Sequence, residues 1–411
     1  MAITKIEVPE LFDFGSDNSA FKLPTGTTAE RPTSPSNGEM RFNTTTGYVE
    51  YYDTTDAQWW EIDYAPILPS DNFNTVLYQG NGSTQAVTGT AFTPDLVWVK
   101  GRSVATSNNL FDSIRGNQRI ISNSTGAQVD LNPYAPDGLP SFNSNGFNIG
   151  DNFNGDYGLN GDPSGTYGSA AGYVAWCWKA GGAAVTIAAN TVGNTIASDV
   201  SANVNAGFSI VKYTGNSTIP STVAHGLDSA PELIMVKVLN QSYPWNVFSA
   251  SIGNTKYLKL NETSAEATQI SRWNNTSPTS AVFTIGNDGD VNGNGLNYIA
   301  YAFHSVAGYS KMGSYVGNGS ATGPIITLGF EPAFVMVKNT TGTGLWLMSD
   351  NKRQTAATKT TYLQAQSSDA EYSPYTWIEY LSNGFQLKNT GSSLNTNGST
   401  YIFMAFAVDP T

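Results

Sequence analysis

Short apolar segments separated by polar turns recur along most of the chain, and they predict β-strands rather than helices. Leu233–Lys237 and Phe334–Lys338 are apolar and preceded by prolines, while Tyr298–Phe303 and Tyr401–Val408 are apolar on both faces. Strands apolar on both faces lie in the centre of a sheet. No helical period persists beyond two turns. The spacing of strands and turns is typical of β-sandwich or jelly-roll domains.

One pattern, a Tyr-x-Gly-Asn head, a polar turn and an apolar strand ending in lysine, occurs three times and ends at Lys100, Lys237 and Lys338. The last two copies keep a nearly constant offset of 101 to 103 positions from head to closing strand. Such an offset indicates duplicated domains. We therefore predict an all-β chain with repeated β-sandwiches at 73–182, 207–307 and 308–411, and a linker or β-extension at 183–206.

The first 72 residues differ from the repeats. Residues 1–20 are predicted to be an extended arm with apolar anchors at Ile6, Val8, Leu11, Phe12 and Phe14. Residues 39–53 predict a β-hairpin, and a third strand begins at 59. A sheet of three strands buries little core, so this small module is expected to need copies of itself or a host surface. The aromatic residues predicted to form that contact are Phe42, Tyr48, Tyr51, Tyr52, Trp59 and Trp60.

Composition excludes several classes of function. The chain has 20 basic and 32 acidic residues, a net charge of −12, which argues against a groove for nucleic acid. Its single cysteine, Cys177, excludes an internal disulfide framework and a cysteine-based zinc finger. The first 15 residues lack the apolar segment of an export signal, and no long apolar stretch is present. We therefore expect a soluble protein without membrane insertion.

A candidate calcium loop places Asp288, Asp290 and Asn292 at the first, third and fifth positions. Its twelfth position is Ile299 rather than glutamate, so a polar turn is the better interpretation and no bound metal or other cofactor is expected. His225 and His304 are the only histidines, so the chain has few residues from which to build a histidine-dependent catalytic or metal site.

Glycoside hydrolysis needs only two carboxylates, and Asp112, Asp350, Glu371 and Glu379 are available. Asp112 and Asp350, however, occupy equivalent points of two repeats, and each has an arginine three positions later. A structural ion pair explains that spacing at least as well as catalysis does. We expect that the protein is not an enzyme.

Aromatic residues outside the predicted strands suggest contact with sugars, because a pyranose ring stacks on a flat side chain while its hydroxyls bond to polar neighbours. Subunit packing is the alternative for the same residues. The candidates are Tyr243, Trp245, Trp273, Tyr372, Tyr375 and Trp377.

The segment Leu23–Asp53, which reads LPTGTTAERPTSPSNGEMRFNTTTGYVEYYD, resembles a module found in structural proteins of tailed bacteriophages, particularly tail fibres and virion appendages. The shared pattern includes Arg31, Arg41, Asn43 and Glu50. The repeats are similar to those of marine-phage tail or virion proteins, in which WCWKAGG, NETSAxxT and FHSVxGYSKxGSYxGNGS occur at corresponding places.

These resemblances imply a virion protein synthesised in the cytoplasm of the bacterial host. They favour a tail fibre or appendage subunit, with residues 1–70 docking on the virion and the repeats facing the host surface. The implied partners are other copies of the chain, most simply in a homotrimer, phage tail or capsid proteins, and a host surface glycan. A capsid decoration protein or head fibre is the alternative, and a glycan depolymerase is favoured least.

Overall fold

The computed structural model describes residues 23–62, 68–134, 137–150, 158–161, 172–373 and 375–409, so the predicted arm at 1–20 lies outside the described residues. The described chain is all-β, which confirms the predicted fold class. Its α-helices are single turns, α1 (Ile270–Trp273) and α2 (Gly289–Asn292), and none of its helices has the length and apolar character needed to cross a membrane. The chain divides into two compact units, residues 1–66 and 67–411.

The first unit contains one four-stranded sheet, with a 3₁₀ turn at Thr28–Glu30 between its first and second strands. Its strands, in the order in which they lie in the sheet, are β1 (Thr25–Gly26), β2 (Met40–Asn43), β3 (Tyr48–Asp53) and β4 (Gln58–Ile62). β1 runs parallel to β2, and the other pairs are antiparallel. The predicted hairpin is therefore the centre of a slightly larger sheet.

The second unit begins with a 3₁₀ turn at Pro69–Asp71, where the Ser70 amide donates to Asp409 at 2.8 Å. The predicted boundary at 72/73 therefore lies six residues beyond the boundary between the units at 66/67. The strands of the first repeat are β5 (Phe73–Gln79), β6 (Gln85–Thr88), β7 (Leu96–Gly101), β8 (Asn109–Asp112), β9 (Gly116–Ile121), β10 (Val129–Asp130), β11 (Ser141–Asn143), β12 (Gly146–Ile149) and β13 (Gly172–Trp178). A large sheet, β10-β9-β8-β7-β13-β5, faces a small one, β11-β12-β6.

The second repeat has the same plan with two added strands from residues 183–206. Its strands are β14 (Val185–Ile187), β15 (Ser198–Asn203), β16 (Phe208–Thr214), β17 (Ser221–Ala224), β18 (Leu233–Val238), β19 (Asn246–Ser249), β20 (Lys256–Tyr257), β21 (Ala267–Thr268), β22 (Val282–Ile285) and β23 (Asn297–Phe303). Its large sheet has the order β14-β15-β16-β23-β18-β19, so residues 183–206 form an ordered β-extension of this repeat.

The third repeat follows the second after a short turn. Its strands are β24 (Ser310–Val316), β25 (Ile325–Thr327), β26 (Pro332–Asn339), β27 (Trp346–Asp350), β28 (Thr358–Lys359), β29 (Leu363–Gln364), β30 (Ile378–Leu381), β31 (Gly384–Leu387) and β32 (Thr400–Ala407). The large sheet is β24-β32-β26-β27-β29, and the small sheet is β25-β31-β30-β28.

The closing strands β13, β23 and β32 explain why the sequence is apolar on both faces. In β23, Tyr298, Ala300 and Ala302 belong to the core inside the second sandwich. The alternate residues Ile299, Tyr301 and Phe303 belong to a different core, to which all three repeats contribute. Because side chains alternate along a strand, each large sheet covers its own sandwich with one face and its two neighbours with the other.

The shared core converges on the last residues of the closing strands. Trp178, Phe303 and Phe406 occupy equivalent positions, and their ring centroids lie 6.4, 5.8 and 6.1 Å apart in the three pairings. All three side chains are at most 1% exposed. These rings mark an internal three-fold axis.

The joints between repeats use the same bonds at each step. The buried lysines that end the repeated apolar strands donate to the neighbouring repeat: Lys237 to Thr125 O at 3.0 Å, Lys338 to Thr263 O at 2.9 Å, and Lys100 to Ser368 O at 2.7 Å. In return, a backbone amide of each acceptor segment donates to the carbonyl two residues after the lysine. These bonds join Gln128 N to Leu239 O, Glu266 N to Thr340 O, and Glu371 N to Arg102 O. The second repeat thus binds the first, the third binds the second, and the first binds the third.

A second set of bonds repeats with the same order. Trp245 Nε1 donates to Ile121 O at 2.8 Å, and Trp346 Nε1 donates to Lys259 O at 3.0 Å. At the third joint Asn108 replaces tryptophan, and its Nδ2 donates to Gln364 O at 3.1 Å. A head-to-tail interface that repeats and closes after three steps makes a ring. We call residues 67–411 the ring.

Candidate functional site

The small module contains a buried ionic cluster. Glu50 is fully buried; Asn43 Nδ2 donates to it at 3.0 Å, Arg31 Nε at 3.1 Å, and Arg41 Nε lies 3.3 Å away. The arginines outweigh the cost of burial and lower the pKa of Glu50, although that burial alone would raise it.

The aromatic residues predicted to attach the module lie on two opposite faces of its sheet, as the pairing of the strands shows. Met40, Tyr51 and Trp60 lie directly opposite one another across β2, β3 and β4, and their side chains are 42%, 36% and 42% exposed. Phe42, two residues from Met40, extends this face. We call it the apolar face of the module. Tyr48, Tyr52 and Trp59 alternate with these residues and lie on the opposite face, where the rings of Tyr52 and Trp59 are 5.5 Å apart.

Most of the predicted sugar-contacting aromatics are structural, which corrects the sequence interpretation. Trp245, Trp273 and Trp377 are 0 to 1% exposed, so they have no ring face to offer a sugar. Trp245 and Trp377 also use their indole nitrogens for bonds to backbone carbonyls. Tyr243 is half-buried at the joint, where its amide donates to Thr125 O at 2.9 Å.

Two of the predicted residues remain accessible, both in one loop of the third repeat. Tyr372 is 55% exposed and Tyr375 is 46% exposed. Tyr372 exchanges backbone bonds with Tyr362 at 3.1 and 3.2 Å, and the two rings make an edge contact at 5.8 Å. This loop is anchored at Glu371, which pairs with Arg102 of the first repeat at 2.8 Å. Tyr372 and Tyr375 are therefore exposed aromatic side chains on a fixed loop.

The proposed calcium residues have other partners. Asp288 accepts from the Asp290 amide at 2.9 Å as the N-cap of α2, and both carboxylates lie beside Arg272, 3.5 and 2.5 Å from its nitrogens. Asn292 is fully buried and donates to Thr218 O and Gly286 O. An arginine thus occupies the place where a cation would be expected, and the loop is a structural turn.

Asn292 is one of three equivalent asparagines that the sequence analysis missed. Asn160, Asn292 and Asn395 are fully buried, and each accepts, at 2.8 to 2.9 Å, the amide of the asparagine in a Tyr-x-Gly-Asn head. In each head the tyrosine stacks on a tyrosine of the closing strand, at 4.9 to 5.2 Å. The sequence signal that the three repeats share is an apolar residue followed by asparagine shortly before the closing strand.

The candidate catalytic groups are engaged in structural contacts. Arg115 Nε lies 2.6 Å from Asp112, and Arg353 Nε lies 2.5 Å from Asp350, as the three-residue spacing predicted. Both carboxylates also reach the next repeat: Tyr301 Oη donates to Asp112 at 2.7 Å, and Trp176 Nε1 donates to Asp350 at 3.1 Å. These ion pairs are parts of the joints.

The remaining carboxylates and histidines also have partners. Glu371 contacts Arg102 and Arg353, and Glu379 contacts Lys388. His225 accepts from the Leu227 amide and bonds through Nε2 to Thr279 O at 3.0 Å, and burial lowers its pKa to about 4. His304 bonds through Nδ1 to Ser305 O at 3.0 Å.

The joint lysines predict a stability that rises with pH. Burial lowers the pKa of Lys100 to about 7 and those of Lys237 and Lys338 to about 8, whereas an unfolded lysine titrates near about 10.4. Between these values the unfolded chain binds more protons than the folded one, so the free energy of unfolding increases with pH. Chemical denaturation at pH 7 and pH 9 measures the increase.

Lys237→Met is the matched control for this prediction, because it removes one titrating group and keeps most of the side-chain volume. The variant should show a smaller increase than the natural chain. Equal stability at pH 7 and pH 9 in the natural chain would contradict the prediction and show that the carbonyl acceptors keep the lysines charged.

Comparison with known proteins assigns the ring to a family. The chain belongs to the family described as a domain of unknown function, DUF7483, which matches residues 68–410. A search of curated proteins finds no significant match. The matched region begins within two residues of the start of the ring, and the module lies outside it. The family boundary and the structural boundary therefore agree.

Proposed function

For this member of the DUF7483 family, we propose a structural role in a bacteriophage virion. The chain would be a tail fibre or appendage subunit, with its amino-terminal module attached to the virion and its ring turned towards the host surface. Its partners would be phage tail or capsid proteins, other copies of the chain, and a glycan of the host surface.

The observation that carries this proposal is the ionic cluster of the module. Arg31, Arg41, Asn43 and Glu50 belong to the sequence pattern shared with phage structural proteins, and in the folded module they bond to one another. The resemblance therefore includes residues that contact one another inside the folded module. A shared folding pattern supports a shared kind of module more strongly than scattered surface identities do.

The apolar face of the module supports attachment to another protein. Met40, Tyr51 and Trp60 form a continuous row across three strands and are each more than a third exposed. Removing apolar area from water contributes roughly 25 cal/mol per Å² towards the cost of association. Three modules joined through this face would give the homotrimer expected from the sequence, and a virion protein is the other candidate occupant.

A capsid decoration protein or head fibre is the second candidate, since the same module and ring would serve there. Labelled antibody against the ring, viewed on intact particles by electron microscopy, separates the two: label on the tail or on appendages supports the first proposal, and label spread over the capsid supports the second. Complete absence of label from purified particles would contradict both. A depolymerase is the least supported alternative, and release of sugar products from incubated host glycan would establish it.

Removing residues 1–66 should abolish incorporation into particles while the ring stays folded, because the two units are separately compact. Incorporation is measured by immunoblot of purified particles, and folding by circular dichroism of the truncated chain. The matched control is the full chain carrying Trp273→Phe, which changes a buried aromatic of the ring and leaves the module intact. Incorporation of the truncated chain at the normal level would show that the ring, and not the module, attaches to the virion.

Replacing Tyr372 and Tyr375 together with alanine should weaken glycan binding by roughly five- to 150-fold, since stacking on an aromatic ring contributes about 0.5–1.5 kcal/mol at each contact. Binding is compared on an array of host surface glycans. The control is Tyr134→Ala, which removes a tyrosine that is 51% exposed elsewhere in the ring. Equal loss in both variants, or in neither, would contradict a specific role for the loop.

A further inference from the structure

The β-extension at 183–206 closes one side of the second sandwich. β15 pairs along β16 from Ser198↔Tyr213 to Asn203↔Phe208. Just before it, the amides of Thr195 and Ile196 donate to Thr222 O of β17 at 3.0 and 3.1 Å. One extended segment therefore covers the edges of both the large and the small sheet.

The same side of the third sandwich has no such segment among the described residues. The equivalents of β16 and β17 are β24 and β25, and each is the last strand on its edge. On β24 the Met312 amide faces outward, since it donates to Ser305 Oγ at 3.0 Å. Outward groups alternate along an antiparallel edge, so Ser314 and Val316 also present their amides and carbonyls outward.

Apolar side chains lie along this open edge. Val316 is 58% exposed and Ile325, the equivalent of Thr222, is 62% exposed. Near the other end of β24, Lys311 joins the two strands through a bond to Thr327 O at 2.9 Å. Exposed backbone groups bordered by apolar side chains form a template for the addition of a strand.

The first repeat differs at one end of the corresponding edge: its Thr75 amide is covered by a side chain as the equivalent Met312 amide is, but its Gln79 carbonyl is covered as well, whereas no side chain of the described residues donates to Val316 O. Asn74 Oδ1 accepts the Thr75 amide at 2.9 Å, and Gln85 Nε2 donates to Gln79 O at 2.9 Å. Leu77, the equivalent of Ser314, lies between these two capped positions on β5. The third repeat therefore has the more accessible edge.

We propose that the edge formed by β24 and β25 binds the amino-terminal arm, residues 1–22, of a second copy of the chain as an added β-strand. The arm alternates Ile6 and Val8 as β15 alternates Val200 and Ala202, and its 22 residues exceed the six of β15. It carries Glu7, Glu10 and Asp13 to meet Lys311, much as Asp199 of β15 lies opposite Lys212. This interaction would add self-assembly to the proposed virion role, but the argument for it does not depend on that role.

Fluorescence anisotropy of a labelled peptide of residues 1–22 with the full chain tests the proposal. Ser314→Pro removes an outward amide at an edge position that tolerates proline, and it should weaken binding about tenfold or more. Leu77→Pro makes the same change at the equivalent position of the first repeat and should leave affinity unchanged. A scrambled peptide should not bind.

Val316→Lys provides a second variant, since an exposed lysine on an edge opposes strand addition without loss of a buried contact. Thermal melts confirm that each variant is folded. Absence of binding both to the natural chain and to a chain without residues 1–22, or equal affinity for the natural chain, Ser314→Pro and Val316→Lys, would overturn the proposal. Binding that appears only after residues 1–22 are deleted, from a natural chain that light scattering shows to be monomeric, would assign the edge to the arm of the same chain and overturn the role of a second copy.

Discussion

Replacing Asp112 with alanine will lower the free energy of unfolding of the ring by about 3–5 kcal/mol, because it leaves the Arg115 guanidinium buried without its counter-ion. Arg115 and Asp112 are 6% and 0% exposed, and the carboxylate also accepts from Tyr301 Oη of the second repeat at 2.7 Å. The substitution therefore disrupts the first repeat and its joint with the second repeat together. Chemical denaturation followed by tryptophan fluorescence measures the loss.

The ring itself provides the control for this substitution. At the joint between the second and third repeats, Ser249 and Ile252 occupy the positions of Asp112 and Arg115, and Met404 occupies that of Tyr301. The triple variant Asp112→Ser, Arg115→Ile, Tyr301→Met gives the joint between the first and second repeats the same residues. Replacing a buried ion pair with well-packed apolar groups is often neutral, so the triple variant should recover most of the lost stability. A triple variant less stable than Asp112→Ala would contradict the equivalence of the joints.

Replacing Trp178 with alanine will cost about 3–5 kcal/mol and will destabilise all three repeats together. Trp178 contacts Phe303 of the second repeat at 6.4 Å and Phe406 of the third at 5.8 Å. Calorimetry should show one transition of the ring at a lower temperature. If the transition splits and part of the ring keeps its original stability, the repeats are independent domains and the prediction is wrong.

Trp178→Phe is the matched control, because the equivalent residues in the other repeats are phenylalanines. In the described part of the chain the Trp178 Nε1 has no hydrogen-bond partner, so this change removes a buried polar group as well as some volume. The expected cost is therefore small, about 1–2 kcal/mol.

The strands of the repeats, and which of them are central in the large sheet, could be predicted from local pattern. Leu233–Lys237 and Tyr298–Phe303 are short, apolar and bounded by turns, and each forms a central strand of the large sheet. Alternation along β23 places Tyr298 and Tyr301 on opposite faces, and both are fully buried. The core of a sandwich buries only one face of this strand. Burial of the other face therefore requires a second surface that covers it.

The joints between repeats are harder to recognise in the sequence than the strands are. The segments that accept the lysines read NSTGAQ, NETSAE and QSSDAE, and they begin at Asn123, Asn261 and Gln366. Their first side chains accept the amides of Asn108, Trp245 and Trp346 at 2.8 Å. Only polarity and the penultimate alanine are common to the three, because the segments mainly use backbone groups, which any residue can supply. The prediction of sugar contact at Trp245 was wrong for a related reason: Trp245 is at a joint, and sequence alone did not reveal that a neighbouring repeat would cover it.

Three-fold symmetry within one chain changes which surfaces the expected homotrimer could use. The large apolar sheet faces of the repeats cover one another around Trp178, Phe303 and Phe406. Self-association is therefore not needed to bury them. Any oligomer of this chain must use other surfaces, of which the apolar face of the module and the open edge of the third repeat are the two candidates.

Distances between spin labels on equivalent residues test the closed ring most directly. Gln79, Thr214 and Val316 each follow the tyrosine of a repeated head and are exposed, while Cys177 is buried and will not react in the folded chain. Cysteine is introduced at two of the three positions at a time, and each pair is measured by pulsed electron resonance. A closed ring predicts three similar distances. Two similar distances and a much longer one between positions 79 and 316 would show repeats arranged in a row and would contradict the ring.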